Sequence, residues 1–175
     1  FDTKDLIQQR LAKQGLVRVS WGLLGSGHSA SVFEACALQH LPGIPKDTRV
    51  AVKEFNLSSA GDKWQNEAKK YYQLKGYPQF VQLLDWYQDE VSGRACLVFE
   101  HCGGGDLKSY FMKLKAEGKR VEERELRAWT RQLCHALQAL DELRLVHRDI
   151  ALRNIVFVNP LLKTQVKLID VGLAV

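Results

Sequence analysis

The residues best equipped for chemistry lie near the end of the 175-residue sequence: His147-Arg148-Asp149-Ile150-Ala151-Leu152-Arg153-Asn154, followed by Asp170-Val171-Gly172. A carboxylate such as Asp149 can hold a substrate hydroxyl and accept its proton. Asn154 and Asp170 offer hard oxygen ligands, the kind that divalent cations on phosphate groups prefer. One carboxylate for a nucleophile and two oxygen ligands for a metal on phosphates suit phosphoryl transfer, in which positioning and charge neutralisation supply most of the rate. A lone loop aspartate is usually just solvated, so it is the ordered set that matters.

Three upstream stretches could hold a nucleotide. Gly25-Ser26-Gly27-His28-Ser29-Ala30-Ser31-Val32 lies between two strand-like segments. That context disfavours a dinucleotide-binding turn and suits a flap whose amides approach phosphates, with a plain hairpin turn as the alternative. In Val50-Ala51-Val52-Lys53, period-two alternation puts the valines on one face and Ala51 and Lys53 on the other. Lys53 could simply be a strand-end lysine in water, but the next helix supplies Glu67 as a partner. Unit charges ~4 Å apart attract by about 1 kcal/mol in water and about 4 kcal/mol at an effective dielectric of 20. The pair would therefore orient Lys53 only where water is partly excluded. Asp62 sits too near the helix start and suits its dipole, while Leu74, two turns after Glu67, falls on the expected apolar face.

The elements that must position these residues can be read from periodicity. Residues 4–15 form a short amphipathic helix, with Leu6, Ile7 and Leu11 on one side and Gly15 as its stop. Strands are expected at 17–24 and 31–37 around the turn Gly25-Ser26-Gly27, at Arg49 to Phe55, at 80–87 and at 94–100. A helix over 60–75 is inserted among them. After Gly103-Gly104-Gly105 the period changes to 3.6: Asp106 caps a helix over 107–116, and a longer one spans 122–143 with Leu126, Trp129, Leu133, Leu137 and Leu140 as its stripe. Short strands at 155–158 and 166–169 flank Asn159-Pro160, and a run at Leu145-Val146 leads into the catalytic segment. Two lobes with a cleft at residues 100–106 are expected.

Taken in order, these segments resemble a eukaryotic-type protein kinase domain from about residue 17 onward, through H-R-D-x-x-x-x-N, D-x-G, the glycine flap, V-A-V-K and Leu97-Val98-Phe99-Glu100-His101-Cys102. The resemblance implies an α+β, two-lobe fold: a five-stranded antiparallel small lobe with one helix, and a truncated, mainly helical large lobe. It divides the sequence into a 1–16 N-terminal extension, a 17–100 small lobe, a 101–106 hinge and a 107–175 truncated large lobe. It implies ATP and Mg2+ as cofactors, with Asn154 and Asp170 as the metal ligands. Gly25, Ser26, Gly27, Val32, Ala51, Lys53, Phe99, Glu100, Cys102, Asp106 and Val156 would contact the nucleotide. Phe99 would limit the pocket behind adenine, the backbone of Glu100 and Cys102 would bind its edge, and Asp106 would reach the ribose as well as cap its helix. Asp149 would be the catalytic base, with Lys53, Glu67 and Arg153 in the catalytic set. Arg148 implies the class in which a phosphate on the activation segment docks on that arginine.

The match departs from the pattern in places. Ala30 stands where the third flap glycine usually sits, and Val171 replaces the usual Phe of D-F-G. An unfilled large-to-small change costs roughly 3 kcal/mol or more. Tyr71, one turn after Glu67, is expected to fill that space, with Leu83 completing the stack. Ala151 takes the place of the lysine common in serine/threonine kinases, and Arg153 resembles the tyrosine-kinase loop. Gly103-Gly104-Gly105-Asp106-Leu107 resembles the serine/threonine class instead, so the hydroxyl type stays open. Phosphotransfer from ATP to Ser/Thr or Tyr hydroxyls of a protein is the leading reading; an ATP-binding pseudokinase or allosteric scaffold is the alternative. A small-molecule kinase of similar fold fits the glycine flap and hinge less well.

Composition agrees. Hydrophobic residues make up 46% and charged residues 26%, which excludes a disordered chain, and no apolar run approaches the ~20 residues that span a bilayer. The net charge of +5 is spread out. Its densest patch, at Lys113, Lys115, Lys119 and Arg120, is interrupted by Glu117, Glu122 and Glu123, and reads as a solvated helix face rather than a nucleic-acid site. Four widely spaced cysteines read as free thiols of a cytoplasmic protein. No signal peptide is visible and the first residue is not Met, as expected of an excised segment. The kinase features after D-x-G would lie past Val175, so the segment alone is expected to be inactive, poorly soluble and a weak nucleotide binder.

Overall fold

The computed structural model describes residues 3–27 and 30–175, and the side chains of all of these except 3–6 and 21. His28 and Ser29 of the glycine flap and the Leu6 side chain lie outside the described residues. The chain divides into two compact units: the chain up to Ala68 with Leu83–His101, and Lys69–Gln82 with Cys102–Val175.

The first unit is built on a five-stranded antiparallel sheet. Its strands are β1 (Leu16–Ser26), β2 (Ala30–Ala37), β3 (Arg49–Asn56), β4 (Leu83–Asp89) and β5 (Arg94–Glu100), in the order β1-β2-β3-β5-β4. Alternation sorts the side chains as the sequence implies. Val50 and Val52 are fully buried in a core with Phe33, Ala35, Cys96 and Val98, while Ala51 and Lys53 are half-buried on the other face. Helix α1 (Thr3–Lys13) adds Leu11 to this core and β1 adds Leu16, each 1% exposed, so the stretch set off as an extension is built into the first unit. Burying one leucine contributes about 2 kcal/mol. Arg10 of α1 also pairs with Glu54 of β3 at 3.2 Å.

In the second unit, helices α4 (Leu107–Ala116) and α5 (Glu123–Glu142) accompany a two-stranded sheet of β6 (Ile155–Phe157) and β7 (Val166–Leu168). Tyr110, Phe111, Trp129 and Phe157 pack edge to face, with centroids 5.2–6.2 Å apart, a favoured aromatic geometry. Asp106 caps α4: its carboxylate accepts from the Ser109 amide at 2.9 Å and the Ser109 hydroxyl at 2.7 Å. The glycine joint is sterically required at Gly104, where a Cβ would meet the Phe157 Cβ at 2.3 Å and its carbonyl oxygen at 2.7 Å.

Several expectations need correction. The helix expected over 60–75 is two, α2 (Leu57–Ala60) and α3 (Lys63–Gln73), because Gly61 adopts φ +51 and breaks the run. Residues 80–82 are not part of β4. Phe80 instead bridges Leu168, and the Val81 amide donates to the Leu168 carbonyl at 3.2 Å. Gly25 and Ser26 are ladder residues opposite Val32 and Ser31. On α5, Trp129, Ala136, Ala139 and Leu140 are buried, whereas Leu126 and Leu137 are 51% and 47% exposed. At 100° per residue those two leucines lie roughly 60–80° round the helix from Trp129, on the rim of the stripe. Leu145-Val146 is not a strand, although Val146 and Val175 exchange backbone hydrogen bonds of 2.8 and 3.1 Å.

Candidate active site

In the first unit, Lys53 on β3 donates to both carboxylate oxygens of Glu67 on α3, at 2.7 and 2.9 Å. The side chains are 16% and 4% exposed, so the pair lies where water is largely excluded, the condition under which it orients the lysine. Phe99 of β5 stands opposite Ala51 in register and is 5% exposed. Glu100 and Val32 are half-buried. Among the described residues, a Cβ at Gly25 meets nothing within 4 Å, and at Gly27 only the Ala30 carbonyl at 3.8 Å.

The second unit brings Asp149, Arg153 and Asn154 together. Buried Asn154 donates its side-chain amide to the backbone carbonyl and the carboxylate of Asp149, both at 2.8 Å. With Nδ2 committed in this way, Oδ1 is the arm that can face a cation. Arg153 donates to the other Asp149 oxygen at 2.5 Å. The Asn154 amide, then the Arg153 guanidinium, hold the Asp149 carboxyl below the usual carboxylate range. His147 is buried and joins this loop to the D-V-G segment, its Nδ1 accepting from the Asp149 amide and its Nε2 reaching the Ile169 carbonyl, each at 3.2 Å. The tautomer protonated at Nε2 satisfies both contacts.

The backbone is strained where these side chains are. Arg148 and Asp170 have φ of +64 and +61, two of the four left-handed non-glycine positions among the described residues. Such conformations cost of order 1–3 kcal/mol each and persist where surrounding contacts over-determine them. The contacts here are specific: Arg148 Nε donates to the Leu173 carbonyl at 2.5 Å, and the Asp170 amide donates to the Tyr71 hydroxyl at 3.0 Å. Tyr71 is 3% exposed and Val171 fully buried, while Leu83, expected to complete their stack, lies in the other unit. Cys102, Asp106 and Val156 are half-buried, and Asp106 bridges Val156.

Sequence reasoning missed the Tyr71 hydroxyl contact, the bond from Lys70 to the Gly172 carbonyl at 3.0 Å, and Lys163. Lys163 lies over the Phe157 ring at 4.6 Å and donates to the Gly104 carbonyl at 2.7 Å, behind the glycine joint. Burial, more than the neighbouring charge of Lys113, lowers its pKa. Among the described residues, no group of three or more His, Cys, Asp or Glu side chains could hold a metal ion by itself. An amide and one carboxylate fit a Mg2+ that completes its shell with phosphate oxygens and water.

An antiparallel sheet with a lysine–glutamate pair, joined to a helical unit with a strained H-R-D and D-V-G loop pair, defines a kinase-type domain of mixed α+β fold. The chain belongs to the protein kinase domain family, which matches residues 19–175. It is 32% identical over 170 residues to serine/threonine-protein kinase ULK3 of Mus musculus, covering 89% of this chain and 33% of the relative. To serine/threonine-protein kinase tousled-like 2 of Homo sapiens it is 28% identical over 165 residues, 87% of this chain and 20% of the relative. To the MAP kinase-interacting serine/threonine-protein kinase mnk-1 of Caenorhabditis elegans it is 29% identical over 151 residues, 86% and 20% respectively. The chain thus spans a third or less of the length of these relatives. Among the described residues, no helix is long and apolar enough to cross a membrane.

Proposed function

We propose that the full-length protein transfers the γ-phosphate of ATP to a serine or threonine hydroxyl of a protein substrate, in the cytoplasm, using Mg2+. The observation that most favours this is the Asp149 carboxylate, fixed by the Asn154 amide and the Arg153 guanidinium and kept ionised. In that state it can orient an incoming hydroxyl and take its proton. Asn154 Oδ1 and the Asp170 carboxylate would hold the metal, which when bound neutralises charge building on the phosphates. Lys53, oriented by Glu67, would carry positive charge to the α- and β-phosphates. Flap glycines whose Cβ positions meet no close atom among the described residues are consistent with amides that must approach a phosphate closely. In the first unit, Val32, Ala51, Phe99 and the Glu100 backbone would be the groups that meet adenine; in the second, the Cys102 backbone and Val156 would do so, with Asp106 for the ribose.

The serine/threonine assignment rests on the relatives, each named as such a kinase. Arg153, bonded to Asp149, is the feature that pulls toward tyrosine. The test is transfer from γ-labelled ATP by the full-length protein onto matched Ser, Thr and Tyr peptide sets, beside its Asp170→Ala form. Label on Ser or Thr peptides that disappears in the variant is expected. Label confined to Tyr peptides would overturn the hydroxyl assignment, and ATP binding without any transfer would establish a scaffold.

A further inference from the structure

We propose that Tyr71 is a positioning residue for Asp170, doing through its hydroxyl what a larger side chain at 171 would do by stacking. This rests on the reading of Asp170 as a metal ligand. Tyr71 is buried on α3, and its Oη accepts from the Asp170 amide at 3.0 Å, a contact across 99 residues of sequence. The next residue back, Lys70, donates to the Gly172 carbonyl at 3.0 Å. Consecutive α3 side chains thus grip the segment on either side of Val171, which is itself fully buried. The stretch is pinned from the other direction as well: the Ile169 carbonyl meets His147 Nε2 at 3.2 Å, and the Ile169 amide donates to the Asn154 carbonyl at 2.9 Å.

The placement of the phenol matters because Asp170 sits at φ +61. The left-handed region is a shallow well for aspartate, and leaving it would swing the carboxylate away from the direction it now takes. A hydrogen bond at the amide of that same residue fixes the peptide plane on which the well depends. Valine at 171 offers less volume than phenylalanine for wedging the segment, and a directional bond adds to what its packing supplies. The hydroxyl would set the geometry of the metal ligand, while the Tyr71 ring fills interior space.

Tyr71→Phe separates the two roles, since it keeps the ring and removes only the hydroxyl. The full-length variant is titrated with Mn2+ in the presence of a fluorescent ATP analogue, and separately with the analogue alone. About a tenfold loss of Mn2+ affinity is expected, the factor that a lost hydrogen bond of ~1.4 kcal/mol carries, with metal-free analogue binding within twofold of wild type. Mn2+ affinity within twofold of wild type would overturn the proposal. So would an equal loss of metal-free binding, which would mark a general packing defect. Asp170→Ala, run in parallel, should lose metal-dependent binding. If it does not, the ligand assignment fails independently of what Tyr71→Phe does.

Discussion

Replacing Glu67 with Gln keeps the shape of the β3–α3 contact and removes one charge. The Lys53–Glu67 contacts of 2.7 and 2.9 Å correspond to roughly 6 kcal/mol of attraction at an effective dielectric of 20. Desolvating two mostly buried ions offsets most of that, but stranding one of them costs about 3–5 kcal/mol. The glutamine carbonyl can still accept from the ammonium, and a hydrogen bond to a charged group returns about 1.5–3 kcal/mol. A net loss of about 2 kcal/mol follows, or roughly 4–8 °C in Tm for a domain of this size. Differential scanning calorimetry of the full-length protein measures it. The double change Lys53→Met with Glu67→Leu leaves no buried charge and should recover at least half of the lost Tm, while still failing to bind ATP. A Glu67→Gln protein melting within about 1 °C of wild type, or a double variant less stable than the single, would be incompatible with a largely buried ion pair at this contact.

Three further outcomes follow from the same structure. Because Asn154 and Arg153 depress the Asp149 pKa, its carboxylate stays ionised as the pH falls past the ordinary aspartate value, and activity is lost only as pH drops through the depressed one. Arg153→Ala, which leaves the proposed metal ligands in place, should move the acid limb of the kcat/KM profile to higher pH; an unmoved limb would mean that another group sets it. Gly104→Ala must push a methyl against the Phe157 backbone and Cβ, costing about 1–3 kcal/mol, so its Tm should fall, and an unchanged Tm would contradict the close packing. Burial pushes the Cys96 thiol up to about 12, whereas Cys134 is exposed. Iodoacetamide at pH 8 should label Cys134 in the native protein and Cys96 only after unfolding, which peptide mass mapping can read.

What was legible in the sequence was local. Period-two alternation at Val50–Lys53 gave both the strand and the facing of Lys53, and the one-turn spacing within α3 put Glu67 and Tyr71 on a common side. The catalytic and D-V-G loops announced themselves by residue type and order. The errors came where long-range partners override local pattern. Phe80 and Val81 look like the start of a strand, but their partner is Leu168, far along the chain. Leu126 and Leu137 have the right period for a core stripe, yet the face that is buried is set by Trp129 and Phe157, centroids 5.5 Å apart. The hydrogen bonds that Tyr71 accepts from Asp170 and that Lys70 donates to Gly172 span 99 and 102 residues, and no spacing rule reaches that far. The left-handed Arg148 was hidden for a different reason: nothing in an arginine signals a positive φ, and its contact with Leu173 lies 25 residues along the chain.

In the proposed function Asp149 acts on the substrate hydroxyl rather than on the nucleotide. Asp149→Asn, in the full-length protein, is the direct test, with phosphotransfer and ATP affinity measured on the same preparation. Transfer should fall by about 10²-fold or more, the scale of a lost general base, while ATP affinity stays within about threefold. Transfer that survives the substitution unchanged would contradict it.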